Sequence, residues 1–270
     1  MTTLYLVATP IGNLQDISLR ALQTLEDVSL IAAEDTRTTR KLLRRYNVDT
    51  PLISYYKDNV SSRIPYILDA LLRDDVALVS EAGVPAISDP GCELVAAAVE
   101  AGFTVTAVPG ASSVTTALAV SGMHADRFLF LGFLPNRSKA RREALAAVAA
   151  EPYTLVIFEA PHRLKASLQD MTEVLGDRKV AVCRELTKLY EEIYRGTLPE
   201  AVAHFARPRG EFTLVVEGAK PVNGTVDWEG AARKLRELKE AGITVKEAMA
   251  QISTEYSLSR RQIYDLWLEL

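Results

Sequence analysis

Two glycine-bearing segments constrain the fold of this chain most tightly. They are Ala8-Thr9-Pro10-Ile11-Gly12-Asn13-Leu14 and Ser80-Glu81-Ala82-Gly83-Val84-Pro85-Ala86-Ile87-Ser88-Asp89-Pro90-Gly91. Each follows a short apolar run, residues 4–7 and 76–79, with no polar alternation. Such runs read as strands buried on both faces, the condition of a parallel sheet. Each segment also precedes a helical pattern. Strand, glycine loop and helix in repetition predict an open α/β sheet, where ligands collect at the carboxyl ends of strands.

The alternation continues along the chain. Residues 17–25 have helical spacing, with Ile17, Ala21, Leu22 and Leu25 on one face. Residues 28–32 and 51–54 read as strands, 60–72 and 92–101 as helices, and 104–107 as a fifth strand. Asp35 or Thr36 can cap the basic helix after the second strand, with Thr36 favoured. Pro109-Gly110-Ala111-Ser112-Ser113 opens a further helix. A mainly parallel sheet covered on both faces is therefore expected over residues 1–120. The pattern resets at 121–126. Strands are predicted at 128–131, 154–158 and 180–183, with helices at 139–150 and after Ala160-Pro161-His162-Arg163. Residues 192–195 and 212–217 read as a further strand pair around a helix near 199–205. This predicts a second α/β domain, 121–220, with a mixed sheet. Lys220-Pro221-Val222-Asn223-Gly224 has linker composition. The tail, 221–270, is helical in pattern. Thr244 and Glu247 form a capping-box candidate, and Ser257-Leu258-Ser259-Arg260-Arg261-Gln262 opens the next helix in a helix-turn-helix-like arrangement. A helical cap or a dimer contact fits that spacing equally.

Composition removes several classes. The chain has 270 residues, of which 48% are hydrophobic and 24% charged, enough apolar material for a sizeable core. No apolar run approaches the roughly 18 residues of a membrane span. No basic leader precedes the first strand, so no secretory signal is expected. Cys92 and Cys183 lie far apart, which suits a reducing cytosol. His124, His162 and His204 are scattered without metal-ligand spacing, and no metal is expected. The net charge of −4 argues against a general nucleic-acid binder. Charge is nonetheless local: Arg37, Arg40, Lys41, Arg44 and Arg45 form one basic stretch, and Arg137, Lys139, Arg141 and Arg142 another. Such stretches are either solvated helix faces or phosphate contacts.

Neither glycine segment is a G-x-G-x-x-G or a P-loop, so nicotinamide and ATP sites are unsupported. With residues 109–113 as a third strand-end loop, the segments frame a crevice for a small molecule. Three more polar groups follow predicted strands: Glu34-Asp35-Thr36-Arg37, Glu159-Ala160-Pro161-His162-Arg163 and Arg184-Glu185-Leu186-Thr187-Lys188. Helix capping and surface ion pairs are the competing readings of these.

In this order and spacing, together with Glu191 and residues 210–218, the motifs resemble the tetrapyrrole methylase superfamily, which uses S-adenosylmethionine. The resemblance covers essentially the whole chain. It is strongest to the branch that methylates ribosomal RNA. One departure is Glu81, where the superfamily usually carries Asp. The resemblance implies a two-domain class III S-adenosylmethionine methyltransferase with a short C-terminal helical segment, acting in the cytoplasm as a homodimer. It implies transfer of a methyl group to the ribose 2′-oxygen of a cytidine in 16S rRNA of the small ribosomal subunit, near the decoding centre. For the cofactor it implies Pro10, Ala82, Gly83, Ile87, Ser112, Ser113, Ala160, Leu186, Glu211, Phe212 and Thr213. For the chemistry, Glu81, Asp89, Glu159 and Glu185 are candidate carboxylate bases, and Arg37, Arg163 and Lys188 candidate charge stabilisers. Arg40, Lys41, Arg44, Arg45, Arg137, Lys139, Arg141 and Arg142 are candidate RNA contacts. The rivals are a tetrapyrrole-precursor C-methyltransferase, against which the basic stretches and the tail count, and a non-catalytic cofactor-binding module.

Overall fold

Val76, Ala77, Leu78 and Val79 are all buried, and the strand they form is the middle of a five-stranded parallel sheet. Its strands are β1 (Thr3–Val7), β2 (Leu30–Ala33), β3 (Leu52–Ser54), β4 (Val76–Val79) and β5 (Thr104–Val108), in the order β3-β2-β4-β1-β5. The computed structural model describes residues 2–220, 228–256, 258 and 260–269.

Alternate side chains along each strand serve opposite layers. Ala77 and Val79, with Val7, Ile31 and Ala33, pack against α1 (Leu19–Asp27) and α2 (Thr36–Arg45). Val76 and Leu78, with Leu4 and Ala32, pack against α3 (Val60–Leu71) and α4 (Cys92–Glu100). β2 and β4 are apolar throughout because both of their faces are covered, whereas the edge strand β5 carries exposed Thr104 and Thr106. Ser18 caps α1, accepting from the Ala21 N–H at 3.0 Å. Asp35, not Thr36, caps α2: its carboxylate accepts from the Arg37 N–H at 2.7 Å, while Thr36 is already in the helix. A carboxylate at that end also meets the positive pole of the helix.

α5 (Ser113–Ser121) leaves the first sheet and packs on the second. Its Val114, Ala117 and Leu118 touch Val156, Ala181, Cys183 and Val215. The second sheet runs β6-β7-β10-β8-β9, from β6 (Phe128–Phe133), β7 (Thr154–Glu159), β8 (Lys179–Arg184), β9 (Glu192–Thr197) and β10 (Phe212–Val216). Only β6 and β7 are parallel. Residues 192–195 and 212–217 are not a pair, contrary to the sequence expectation. β9 binds β8, and β10 inserts between β7 and β8. The insertion is favoured because Phe212, Thr213, Leu214, Val215 and Val216 are all buried, which only an interior strand allows. On the far face Leu155, Val182 and Leu214 meet α6 (Ser138–Ala147), α7 (Leu164–Leu175) and α8 (Leu198–His204).

The register of β6 against β7 shifts between Phe130 and Gly132. The extra residue changes which face the following side chains occupy. Phe133 therefore points to the same side as Phe130, and both rings meet Phe158, at 4.9 Å for Phe130 and 5.5 Å for Phe133 between centroids.

Residues 1–218 make one compact unit that contains both sheets, and 219–270 make another. The second unit is α9 (Trp228–Glu240), α10 (Val245–Glu255) and α11 (Arg260–Glu269) around Ala231, Leu235, Ala248, Ile252, Leu258 and Ile263. The Thr244–Glu247 capping box is present at the start of α10. Residues 221–224 of the expected linker, and Ser257 and Ser259 of the expected helix start, lie outside the described residues.

Candidate active site

The carboxyl ends of the first sheet face the second across a cavity of about 690 Å³. That is within the usual range for a small-molecule site. The loops after β1, β2, β4 and β5 contribute Ile11, Glu34, Glu81–Asp89 residues and Ser112 through Thr115; the second sheet contributes its aromatic side.

The loops are locked to one another. Thr9 and Gly83 exchange two backbone hydrogen bonds, Thr9 N–H to Gly83 O at 2.8 Å and Gly83 N–H to Thr9 O at 3.1 Å. Gly83 has φ +85°, a region closed to most L residues. Gly12 lets the first loop touch the turn after β8. A β-carbon there would stand 2.5 Å from Lys188 Cγ and 3.0 Å from Leu186 O. Ala86, Ser88, Glu185 and Thr187 also have positive φ, between +50° and +67°. Such conformations cost energy and persist where surrounding contacts enforce them, often at functional sites.

Of the expected cofactor residues, Ala82, Gly83, Ile87, Ser112, Ser113, Ala160, Leu186, Glu211, Phe212 and Thr213 line the cavity. Pro10 does not. It is buried behind the loop, its neighbour Ile11 taking the cavity face. Glu81, Asp89 and Glu159 line the cavity as well.

The remaining charges expected for the chemistry are engaged elsewhere. Arg37 is 86% exposed and pairs with its own helix cap, Asp35. Glu185 and Lys188 pair with each other at 3.0 Å, and Lys188 also reaches Glu211 at 2.9 Å, so this group braces the turn after β8 against the start of β10. The Glu185 carboxylate also takes the Glu211 N–H at 2.9 Å. Arg163 folds back onto Glu159 and onto the carbonyl of Leu134. Arg141, expected among the RNA contacts, is buried. It pairs with Asp170 and donates to the carbonyls of Pro135 and Asn136, because its place on α6 faces α7. Arg137 and Lys139 are exposed, and so is Arg142, which binds Glu173 at 2.6 Å. Arg40, Lys41, Arg44 and Arg45 form an exposed stripe on α2, opposite buried Thr39, Leu42 and Leu43.

Sequence reasoning missed the aromatic wall. Phe128, Phe130, Phe133 and Phe158 all line the cavity. The Phe-Leu-Phe alternation of β6 would have signalled the first two; the bulge that recruits Phe133 has only Gly132 as its mark. Glu34 also lines the cavity, and its carboxylate accepts from the Glu81 N–H at 3.2 Å.

The electrostatics are acidic. Burial raises Glu81 above the usual carboxylate range, and the charges of Asp35, Glu34 and Glu211 add to the rise. Burial pushes Asp89 up to about 7, assisted by Glu34 and Glu81 and opposed by the Ser80 hydroxyl. The cavity thus pairs an apolar interior with a carboxylate rim, an arrangement suited to a ligand that is cationic at one end and flat and apolar at the other.

The chain belongs to the tetrapyrrole methylase family: the profile of the tetrapyrrole (corrin/porphyrin) methylases matches residues 3–202. Its fold is that of the class III S-adenosylmethionine methyltransferases. A solved uroporphyrin-III C-methyltransferase from Thermus thermophilus, described as complexed with S-adenyl homocysteine, superposes with TM-score 0.58 at 17% identity, over 80% of this chain and 97% of that one. Much nearer in sequence are proteins named ribosomal RNA small subunit methyltransferase I. That of Halalkalibacterium halodurans is 46% identical over 98% of this chain and 94% of its own length. That of Synechocystis is 48% identical over 100% and 99%.

Proposed function

We propose that this protein uses S-adenosylmethionine to methylate 16S rRNA of the small ribosomal subunit, at the ribose 2′-oxygen of a cytidine near the decoding centre. The observation that carries this reading is near-full-length identity of 46–48% to relatives bearing the name ribosomal RNA small subunit methyltransferase I. The cavity supplies the chemistry such an activity needs.

The cavity's donor set fits the cofactor. Glu34, Glu81 and Glu211 offer negative charge to its ammonium and sulfonium groups, while Ile11, Val114, Leu186, Phe130 and Phe158 offer an apolar bed for adenine. When bound, the cofactor supplies an activated methyl group, so the protein's task is mainly placement. The Thr9–Gly83 bridge holds the first-sheet loops at fixed spacing, and the Glu185–Lys188–Glu211 group holds the opposite wall. The acidic rim repels phosphate. RNA must therefore be gripped by cations set back from the mouth, and Arg40, Lys41, Arg44 and Arg45 on α2, with Arg137 and Lys139, are free to do so. The protein acts in the cytoplasm as a homodimer in this reading, and the exposed Leu189 and Tyr190 are apolar groups available for self-contact.

The test is incubation of the purified protein with S-adenosylmethionine carrying a labelled methyl group, and with 30S subunits, free 16S rRNA or a tetrapyrrole precursor. Label at one cytidine 2′-oxygen is expected. Label on the tetrapyrrole alone would replace this reading with the small-molecule one.

A further inference from the structure

We infer that the bulged end of β6 and the loop after β4 form the subsite for the acceptor nucleotide, with Phe133 stacking on its unstacked base and Asp89 accepting the proton of its 2′-hydroxyl. The inference rests on the methyl-transfer reading above and assigns the acceptor half of the same cavity.

Three observations converge there. First, the β6 bulge turns Phe133 into the cavity and leaves it 58% exposed, while Phe158 supports one edge of the ring. A large exposed aromatic at a cavity mouth is costly to keep in water. It is also the group on which RNA-binding proteins stack a splayed-out base. Second, the loop after β4 reaches across to this bulge. Ser88 Oγ stands 3.0 Å from where a β-carbon on Gly132 would be, and Ser88 itself is held at φ +65°. Asp89 is the next residue, and it lines the same cavity as Ser88 and Phe133. Third, the other carboxylates, Glu81 excepted, are committed. Glu159 has both oxygens occupied, one by the Ala160 N–H at 2.8 Å and by Arg163, the other by the Ser167 hydroxyl. Glu185 pairs with Lys188 and does not line the cavity. Glu211 pairs with Lys188 and Glu34 holds the Glu81 N–H. Glu81 stands at the exposed start of its loop, further from the bulge in sequence than Asp89, with Glu211 exposed across the cavity.

Asp89 has no lysine, arginine or histidine paired with it among the described residues. The groups that face it are Glu34 beyond β2, Glu81 on its own loop and the Ser80 hydroxyl, and the two carboxylates make it a better base than an isolated aspartate. In the step, the hydroxyl oxygen forms its bond to the methyl carbon as the sulfur–carbon bond breaks. Sulfur keeps that electron pair, and the hydroxyl proton passes to Asp89 and then to solvent.

The experiment compares wild type, Asp89→Asn and Phe133→Ala in methyl transfer to 30S subunits, with cofactor affinity measured by calorimetry on the same preparations and folding checked by thermal melting. Asp89→Asn is expected to lower kcat by about 10²–10⁴-fold with cofactor affinity unchanged, and to lack the rise in rate with pH through neutrality expected of wild type. Phe133→Ala is expected to raise the KM for the RNA substrate roughly tenfold or more while kcat falls less, and Phe133→Tyr is expected to restore it. If Phe133→Ala does not fold, Phe133→Leu takes its place. Wild-type kcat and pH profile in Asp89→Asn, or an unchanged KM in the folded Phe133 variant, overturns the subsite. Failure of wild type to methylate any ribosomal RNA overturns instead the function on which it rests.

Discussion

Arg163 Nε lies 3.1 Å from Glu159 Oε1, with the carboxylate wholly buried and the guanidinium nearly so. The contact is one of charge more than of an aligned hydrogen bond, since Arg163 Nε has no hydrogen-bond partner. The guanidinium's other nitrogens donate to Leu134 O and Asn136 Oδ1, and Glu159 also holds the Ala160 N–H and the Ser167 hydroxyl. Arg163, held by Glu159, therefore ties the loop after β7 to the loop after β6, and so braces the wall that carries Phe133 and Ala160. Removing one member of a buried pair leaves the other uncompensated, which costs about 3–5 kcal/mol. Glu159→Ala is expected to lose that much, read as a lower urea midpoint at unchanged slope. A loss below 1 kcal/mol would mean the pair is not what holds these loops.

Gly83 offers a test of the opposite wall. Its φ of +85° strains any side chain, by about 1–3 kcal/mol, so Gly83→Ala and Gly83→Val both lower the melting temperature. A Gly83→Val variant with an unperturbed fold is thus not expected, and space separates the two substitutions. The alanine β-carbon stands 3.4 Å from Ile11 Cγ2 and 3.6 Å from Ala111 O, an ordinary contact. Valine adds two further carbons at the cavity lining. Calorimetry should give cofactor affinity reduced at least tenfold in Gly83→Val and much less in Gly83→Ala.

The strands of the first sheet were legible because each is marked by a local pattern, although their order, β3-β2-β4-β1-β5, is not. Each of the runs at β1, β2 and β4 is apolar throughout, and each glycine loop follows one. The second sheet was less so. The insertion of β10 between β7 and β8 is decided by burial of both faces of residues 212–216, which a strand's own composition signals, but its neighbours are chosen by contacts far away in sequence. Arg141 and Arg142 show the same limit at one site. They are adjacent in a basic stretch, yet one is buried against Asp170 and the other exposed, because successive residues on a helix point about 100° apart. Glu159 and Arg163 were both recognised at a strand end, but their commitment to each other and to residues 134–136 depends on a loop some thirty residues upstream.

That contrast between arginines supports a third expectation. Replacing Arg40, Lys41, Arg44 and Arg45 by alanine removes four exposed cations from α2. If each neutralises one phosphate, the slope of log affinity against log salt for 16S rRNA falls in magnitude by about 3. Arg141→Ala should leave that slope alone and destabilise the fold instead, since it takes from buried Asp170 its closest cation. Filter binding between low and moderate salt, beside urea melts, reads both. An unchanged slope in the quadruple variant excludes α2 from the RNA interface.

Asp89 carries a stability signature separable from its chemistry. Its folded pKa, about 7, lies above the ordinary carboxylate value of 3.8, so the native state holds this proton more tightly than the unfolded chain. Protonated Asp89 is thus accommodated without penalty below about pH 4. As pH rises from there through 7 the native state must accept a desolvated charge beside Glu34 and Glu81, and stability is lost. Asn cannot ionise. Asp89→Asn should therefore match wild type in melting temperature near pH 4, exceed it increasingly up to pH 7, and hold a constant advantage above that. The trade of stability for activity is expected wherever a site keeps a poorly solvated charge. A melting-temperature difference that does not vary between pH 4 and 8 would show that the Asp89 carboxylate ionises as freely in the folded protein as in the unfolded chain.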